Sequence, residues 1–148
     1  MSDLAVAADP VALANRLRPA LLRLNRELRR EGATLGISGG QATLLHLISR
    51  SPGAGVRELA AREGMSAAGM SGHVDRLEAA GLVSRVRSTD DRRRVGLELT
   101  DAGIRMLRAV RRRRTAWLAQ RLSGLSPAEL EALDEALAPL ERLLEVGG

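Results

Sequence analysis

Eight consecutive residues, Arg87-Ser88-Thr89-Asp90-Asp91-Arg92-Arg93-Arg94, place four arginines and two aspartates in one short stretch. A guanidinium is a planar, permanent cation that meets phosphate oxygens two at a time, and a neighbouring carboxylate can hold it in one orientation. The stretch reads either as a solvated charged turn or as a tip whose arginines meet phosphates or enter a narrow, electronegative groove. A second candidate set lies upstream: Ser66, Ala67, Ala68, Ser71, Gly72, Asp75 and Arg76. Short side chains in this set permit close approach to base edges and thymine methyls. Only Arg76 could supply a long cationic contact there.

Other chemistry is poorly provided for. Cysteine is absent, which excludes disulfides, thiolate metal sites and thiol redox sensing. His46 and His73 stand apart, no glycine-rich phosphate loop follows a strand, and no carboxylate pair has an evident catalytic spacing. No catalytic residue, metal ligand or cofactor is expected, and the enzyme class is set aside.

The elements that must position these residues can be read from caps and periodicity. Asp9-Pro10 is an N-cap followed by proline at the first helical position, and Leu17, Leu21, Leu24 and Leu28 form one stripe of a helix to Arg30, kinked at Pro19 or starting at Arg18. Ser38 and Gln41 have capping-box spacing and open a helix to about Arg50. After the turn residues Ser51-Pro52-Gly53-Ala54-Gly55, a short helix runs from Val56 to Glu63 and ends at Gly64; Ser66 caps another that reaches Ala80 and stops at Gly81. Ala60 allows the two short helices to approach, Met65 is expected to plug the turn from below, and Met70, Val74 and Leu77 face inward. From Leu82 the period becomes two: Leu82 to Val86 and Val95 to Leu99 read as a hairpin with a charged tip. Thr100 caps a helix to about Leu122, and Ser126-Pro127-Ala128-Glu129 opens a last one to about Glu145.

The expected fold is mainly α with a small β-hairpin wing: a winged helix-turn-helix with N- and C-terminal dimerisation helices. Residues 1–35 form the N-terminal dimerisation helix, 36–100 the DNA-binding unit, and 101–148 the C-terminal dimerisation helices. The net charge is +5, and all 23 basic residues other than histidine are arginine. That suits nucleic acid and is equally what codon bias in a GC-rich genome would produce. Without Phe or Tyr, base stacking of single-stranded RNA lacks its usual platforms. No secretion signal is evident at the N-terminus and no apolar run reaches the length of a membrane span, so a cytoplasmic protein without membrane contact is expected.

The chain resembles the MarR family of winged-helix transcriptional regulators. The resemblance is carried by Ile37-Ser38 and Gln41, by Glu58-Leu59-Ala60 and Ser66, by the run from Val74 through Asp75-Arg76-Leu77-Glu78 to Val83, by Asp91-Arg92-Arg93, and by Leu99 through Gly103. It implies a homodimer that regulates transcription as a repressor and that contacts double-stranded DNA through the fourth helix and the wing. It also implies that Asp91 and Arg93 are paired wing positions, with Arg93 facing the minor groove. Gly72 departs from the basic residue that many relatives carry in the recognition helix. The DNA-contacting set is thus Ser66, Ala67, Ala68, Ser71, Gly72, Arg76, Arg87, Ser88, Asp91, Arg92, Arg93 and Arg94.

Leu130, Leu133, Leu137, Leu140 and Leu144 repeat at three and four residues, the seam of a helix packed at a shallow angle on a partner or on its own chain. Arg111 to Arg114 turn through more than one helical revolution, so one of them must face inward. Arg114 falls on the stripe of Leu107, Val110 and Trp117 and is either ion-paired to a carboxylate of the terminal helices or, with Trp117 and His46, lines a cavity for a small anionic aromatic effector. His46 is equally well read as a satisfied core histidine. The rival function is a winged helix used for protein contact without specific DNA binding.

Overall fold

The computed structural model describes residues 7–87, Asp90 and residues 93–145. In order these form α1 (Pro10–Ala33), α2 (Gly39–Arg50), α3 (Val56–Glu63), α4 (Ala67–Ala79), β1 (Val83–Arg87), β2 (Val95–Leu99), α5 (Asp101–Leu122) and α6 (Pro127–Glu145). The winged helix-turn-helix expected from the sequence is present. The chain divides into two units, Met1–Arg114 and Thr115–Gly148.

The caps act where the sequence placed them. The Asp9 carboxylate accepts from the Ala12 amide at 3.1 Å. Ser38 Oγ accepts from Gln41 N at 3.1 Å while Gln41 Oε1 accepts from Ser38 N at 2.9 Å, and Ser126 with Glu129 repeats this box at α6. Thr100 joins three elements: its hydroxyl donates to Gly81 O at 2.6 Å and accepts from Gly103 N at 3.0 Å, and its amide donates to Leu82 O at 3.1 Å.

Three boundaries differ from expectation. α1 starts at Pro10, runs through Pro19 and ends three residues later than Arg30. The Asn15 carbonyl that Pro19 cannot bond lies in an exposed stretch, where water can take the missing donor's place. β1 begins at Val83 rather than Leu82, because Gly81 adopts φ +76° and the Leu82 amide closes back on Leu77 O at 2.9 Å. The strand accordingly extends to Arg87, which is paired with Val95 instead of lying in the tip. Met65 is 40% exposed and does not plug the turn; its amide bonds Ala60 O, and that backbone closure leaves the side chain directed outward.

The core of the first unit comes from Leu45 and Ile48 of α2, Leu59 of α3, Met70, Val74 and Leu77 of α4, Leu97 of β2, and Leu107 and Val110 of α5. Gly103 is required at the start of α5, where an added Cβ would strike the Leu82 carbonyl. α1 contributes one buried residue, Gly32, against which Val110 and the Arg114 guanidinium lie.

Candidate nucleic-acid interface

The turn between α3 and α4 is made by Gly64 at φ +63°, ψ +28°, a left-handed backbone that glycine adopts without a Cβ penalty. Ser66 then starts α4, its Oγ accepting from Gly69 N at 3.0 Å. Met70, Val74 and Leu77 are buried, which fixes the rotation of α4. At 100° per residue, Ala68, Gly72, Asp75, Arg76 and Ala79 occupy the opposite side. Ser66, Ala67, Ala68 and Arg76 are exposed as expected. Ser71 and Gly72 are half-buried rather than exposed. Ser71 sits on the flank, nearer the buried stripe, whereas a Cβ on Gly72 would enter open space, so α4 presents a side-chain-free notch at its middle.

The hairpin is antiparallel, with Arg85 opposite Leu97 and Arg87 opposite Val95. Its β2 edge is held by backbone bonds from the α2–α3 loop, Gly53 N to Leu97 O at 2.9 Å and Leu97 N to Ala54 O at 3.0 Å. Gly96 makes this possible, since a Cβ there would collide with Gly53. Arg87, Arg93 and Arg94 join Arg57 and Arg85 around an open groove of about 820 Å³ whose carboxylates are Glu58 and Glu98. Even with Arg85 engaged by carboxylates of α4, four further arginines against Glu58 and Glu98 leave this groove electropositive. One wall is the first turn of α3, where Gly55 offers no side-chain cap and the helix dipole adds further positive potential. Arg94 reaches Glu58 at 3.6 Å. Ser88, Asp91 and Arg92 lie outside the described residues, and with them the expected Asp91–Arg93 pair.

The sequence reading passed over one connection. Arg85 of β1 pairs with two carboxylates of α4, Asp75 at 2.7 Å and Glu78 at 3.2 Å. Strand alternation holds the signal: Arg85 shares its face with Val83 and, across the ladder, with buried Leu97. A cation at the exposed end of a core-facing row attracts the anions within its reach, and Asp75 and Glu78 stand three apart on the preceding helix.

The three residues expected at an effector cavity have separate surroundings. His46 is exposed and not a core histidine; its helix turns it away from Leu45 and Ile48, and its Nδ1 lies 3.0 Å from Arg111 Nη2. Partial desolvation first, then the charges of Arg111 and Arg50, lower its pKa. Arg114 is the half-buried member of the Arg111 to Arg114 run. Its Nε donates to the Leu28 carbonyl at 3.1 Å, and the carboxylate of Glu31 goes instead to Arg113 at 3.5 Å. Burial, with Arg29 adding to it, lowers the Arg114 pKa from its ordinary value. Trp117 belongs to the second unit, where the Arg121 guanidinium lies 5.2 Å from its ring centroid. Among the described residues no group of three acidic, histidine or cysteine side chains is placed to hold a metal ion, and no helix is long and apolar enough to cross a membrane.

Two helices joined by a tight left-handed turn, the second with an open face of small residues beside an arginine-lined hairpin, define the winged helix-turn-helix class of DNA-binding proteins. Within that class the family is also determined. The sequence pattern of the MarR family matches residues 35–94. The HTH-type transcriptional regulator YfiV of Bacillus subtilis is 34% identical over 115 residues, covering 78% of this chain and 72% of that protein. A MarR family protein from Bacillus stearothermophilus has a similar structure, with TM-score 0.78 and 25% identity over 91% of this chain and 94% of that one. Rv1404 from Mycobacterium tuberculosis is similar at TM-score 0.78 and 26% identity over 97% of this chain and 99% of that one. The chain belongs to the MarR family and is a DNA-binding transcriptional regulator.

Proposed function

We propose that this protein is a homodimeric, sequence-specific repressor that places α4 in the major groove and its hairpin wing against the adjacent minor groove. The observation that carries this reading is the pairing of two unlike surfaces in the first unit. The outer face of α4 is made of Ala68, Gly72 and Ala79 with Asp75 and Arg76, while the hairpin beside it lines an electropositive groove. Small residues allow a helix to seat deeply among base edges, and guanidiniums hold phosphates. Ser66, Ala67, Ala68, Ser71, Gly72 and Arg76 then face bases and nearby phosphates, and Arg87, Ser88, Asp91, Arg92, Arg93 and Arg94 form the wing contact. In this reading residues 1–35 and 101–148 serve dimerisation, and 36–100 serve DNA.

The effector part of the proposal rests on Arg114. A half-buried cation whose bonded partner is a backbone carbonyl keeps its charge available to a small aromatic acid. Addition of such an acid is expected to release the protein from DNA.

The test is a salt series on the native upstream duplex and a scrambled duplex of equal length. A dimer carries twice the chain's +5, and with roughly three to five phosphate contacts per half the log-log slope should lie between about −5 and −9. A shallow slope with equal, weak affinities would show a winged helix used for protein contact instead.

A further inference from the structure

We infer that Arg85 is a positioning residue that fixes the wing against the recognition helix, so that helix and wing engage one DNA site together; this rests on the DNA interface proposed above. The two edges of the hairpin are secured differently. β2 is hydrogen-bonded on its outer side by Gly53 and Ala54, and Arg94, the residue before it, pairs with Glu58 of α3. Among the described residues, β1 has no strand beyond it. Val83 anchors the start of β1 in the core, and beyond it Arg85 carries ion pairs to α4, through Nη2 to Asp75 Oδ1 and Nε to Glu78 Oε2.

The arrangement suits aiming better than holding the fold together. Asp75 and Glu78 are one helical turn apart and take two different nitrogens of one guanidinium, which fixes the plane of the fork as well as its distance. A lysine ammonium has one charged nitrogen and cannot reproduce that constraint. The side chains are 35%, 64% and 43% exposed for Arg85, Asp75 and Glu78, and ion pairs this open contribute little to folding stability. Two carboxylates on a helix that approaches phosphates are also unfavourable unless a cation offsets them. Arg85 does so, and ties the exposed end of β1 to the helix in the same contact. Past Arg85 the strand is exposed on both faces, so a small change of angle at this point is carried outward to Arg87 and the tip.

The chain has no cysteine, so spin labels can be placed uniquely, at Ala68→Cys on α4 and Val86→Cys on β1, in doubly labelled chain diluted with unlabelled chain. Without DNA, the parent should give one narrow distance distribution. Arg85→Ala, and separately the pair Asp75→Asn with Glu78→Gln, should broaden it, with Arg85→Lys intermediate. On DNA, Arg85→Ala should lower operator affinity about tenfold more than it lowers affinity for scrambled duplex, while the thermal midpoint stays at the parental value. Protection of the minor groove beside the half-site should fade and major-groove protection persist. Unchanged label distances would overturn the inference, as would equal losses on both duplexes or a loss accompanied by a lower thermal midpoint. If the parent does not distinguish operator from scrambled duplex, the DNA reading fails, and the label distances still decide whether Arg85 holds the wing.

Discussion

The winged region and the terminal helices are built to opposite standards of closure. Between α2 and β2, Leu45, Ile48, Leu59, Met70, Val74, Leu77 and Leu97 are fully buried, and side-chain caps at Ser38 and Ser66 and glycine turns at Gly64 and Gly81 close helix ends around them. α1 buries Gly32 alone, and α6 buries none of its described residues. Val11, Leu13, Leu21, Leu22 and Leu24 of α1 are exposed, as are Leu130, Leu133, Leu137, Leu143 and Leu144 of α6. Isolated exposed leucines are ordinary, but runs of them at helical spacing on two long helices are not. One region is finished by its own chain. The other has the composition of a core without enough of a partner, which is what a homodimer would provide.

The largest expected effect tests that contrast directly. Removing residues 127–148 should yield monomer or aggregate with little operator affinity, measured by sedimentation and by DNA titration. A soluble truncated dimer that binds normally would show that the leucine seam of α6 packs on its own chain.

A matched pair of substitutions sharpens the difference at single residues. Leu59→Ala in the winged core should lower unfolding free energy by about 2–5 kcal/mol through cavity formation. Leu137→Ala, at a position 53% exposed, should weaken dimerisation and leave the thermal midpoint of dilute monomer nearly unchanged. Urea unfolding followed across protein concentrations separates the two terms, and equal, concentration-independent losses would erase the distinction.

At the DNA surface, Arg93→Ala should cost about 1–3 kcal/mol of operator binding with dimerisation intact. Binding equal to the parent would remove the wing from the interface.

The smallest effect concerns pH. The folded protein lowers the His46 pKa below 6.5, so the neutral ring is the form that folding favours. Its contribution is complete above pH 6.5 and is lost as pH falls below that value toward the folded-state pKa. Thermal midpoints measured between pH 7.5 and 5.5 should therefore decline slightly less steeply in His46→Gln, which keeps an acceptor for Arg111, than in the parent. Identical curves would mean that neither desolvation nor the neighbouring charges of Arg111 and Arg50 favour the neutral ring.

Helix caps and hairpin strands were legible because their causes are local. Ser38 with Gln41, Ser126 with Glu129, and Gly64 at the end of α3 each act within a few residues, and the change of period after Leu82 announces the strands without reference to anything distant. The inward face of α4 was legible for the same reason, through Met70, Val74 and Leu77. Of the expected DNA-contacting set, Ser66, Ala67, Ala68 and Arg76 are exposed, Gly72 faces open space, and Arg87, Arg93 and Arg94 share the hairpin groove. Met65 and His46 escaped the reading because their directions depend on how neighbouring elements meet.

What the sequence determined by itself, then, is the order, type and capping of the elements, since backbone hydrogen bonding and side-chain periodicity are satisfied over short spans. Tertiary structure alone decided which partners distant groups find: Gly53 and Ala54 on the edge of β2, the Leu28 carbonyl on Arg114, and Asp75 with Glu78 on Arg85. A backbone amide and a half-buried guanidinium each require a partner, and an exposed arginine takes the carboxylates that packing brings within its reach. Nothing in their local sequence says which one, because that choice is made only when the helices and the hairpin pack around a common core.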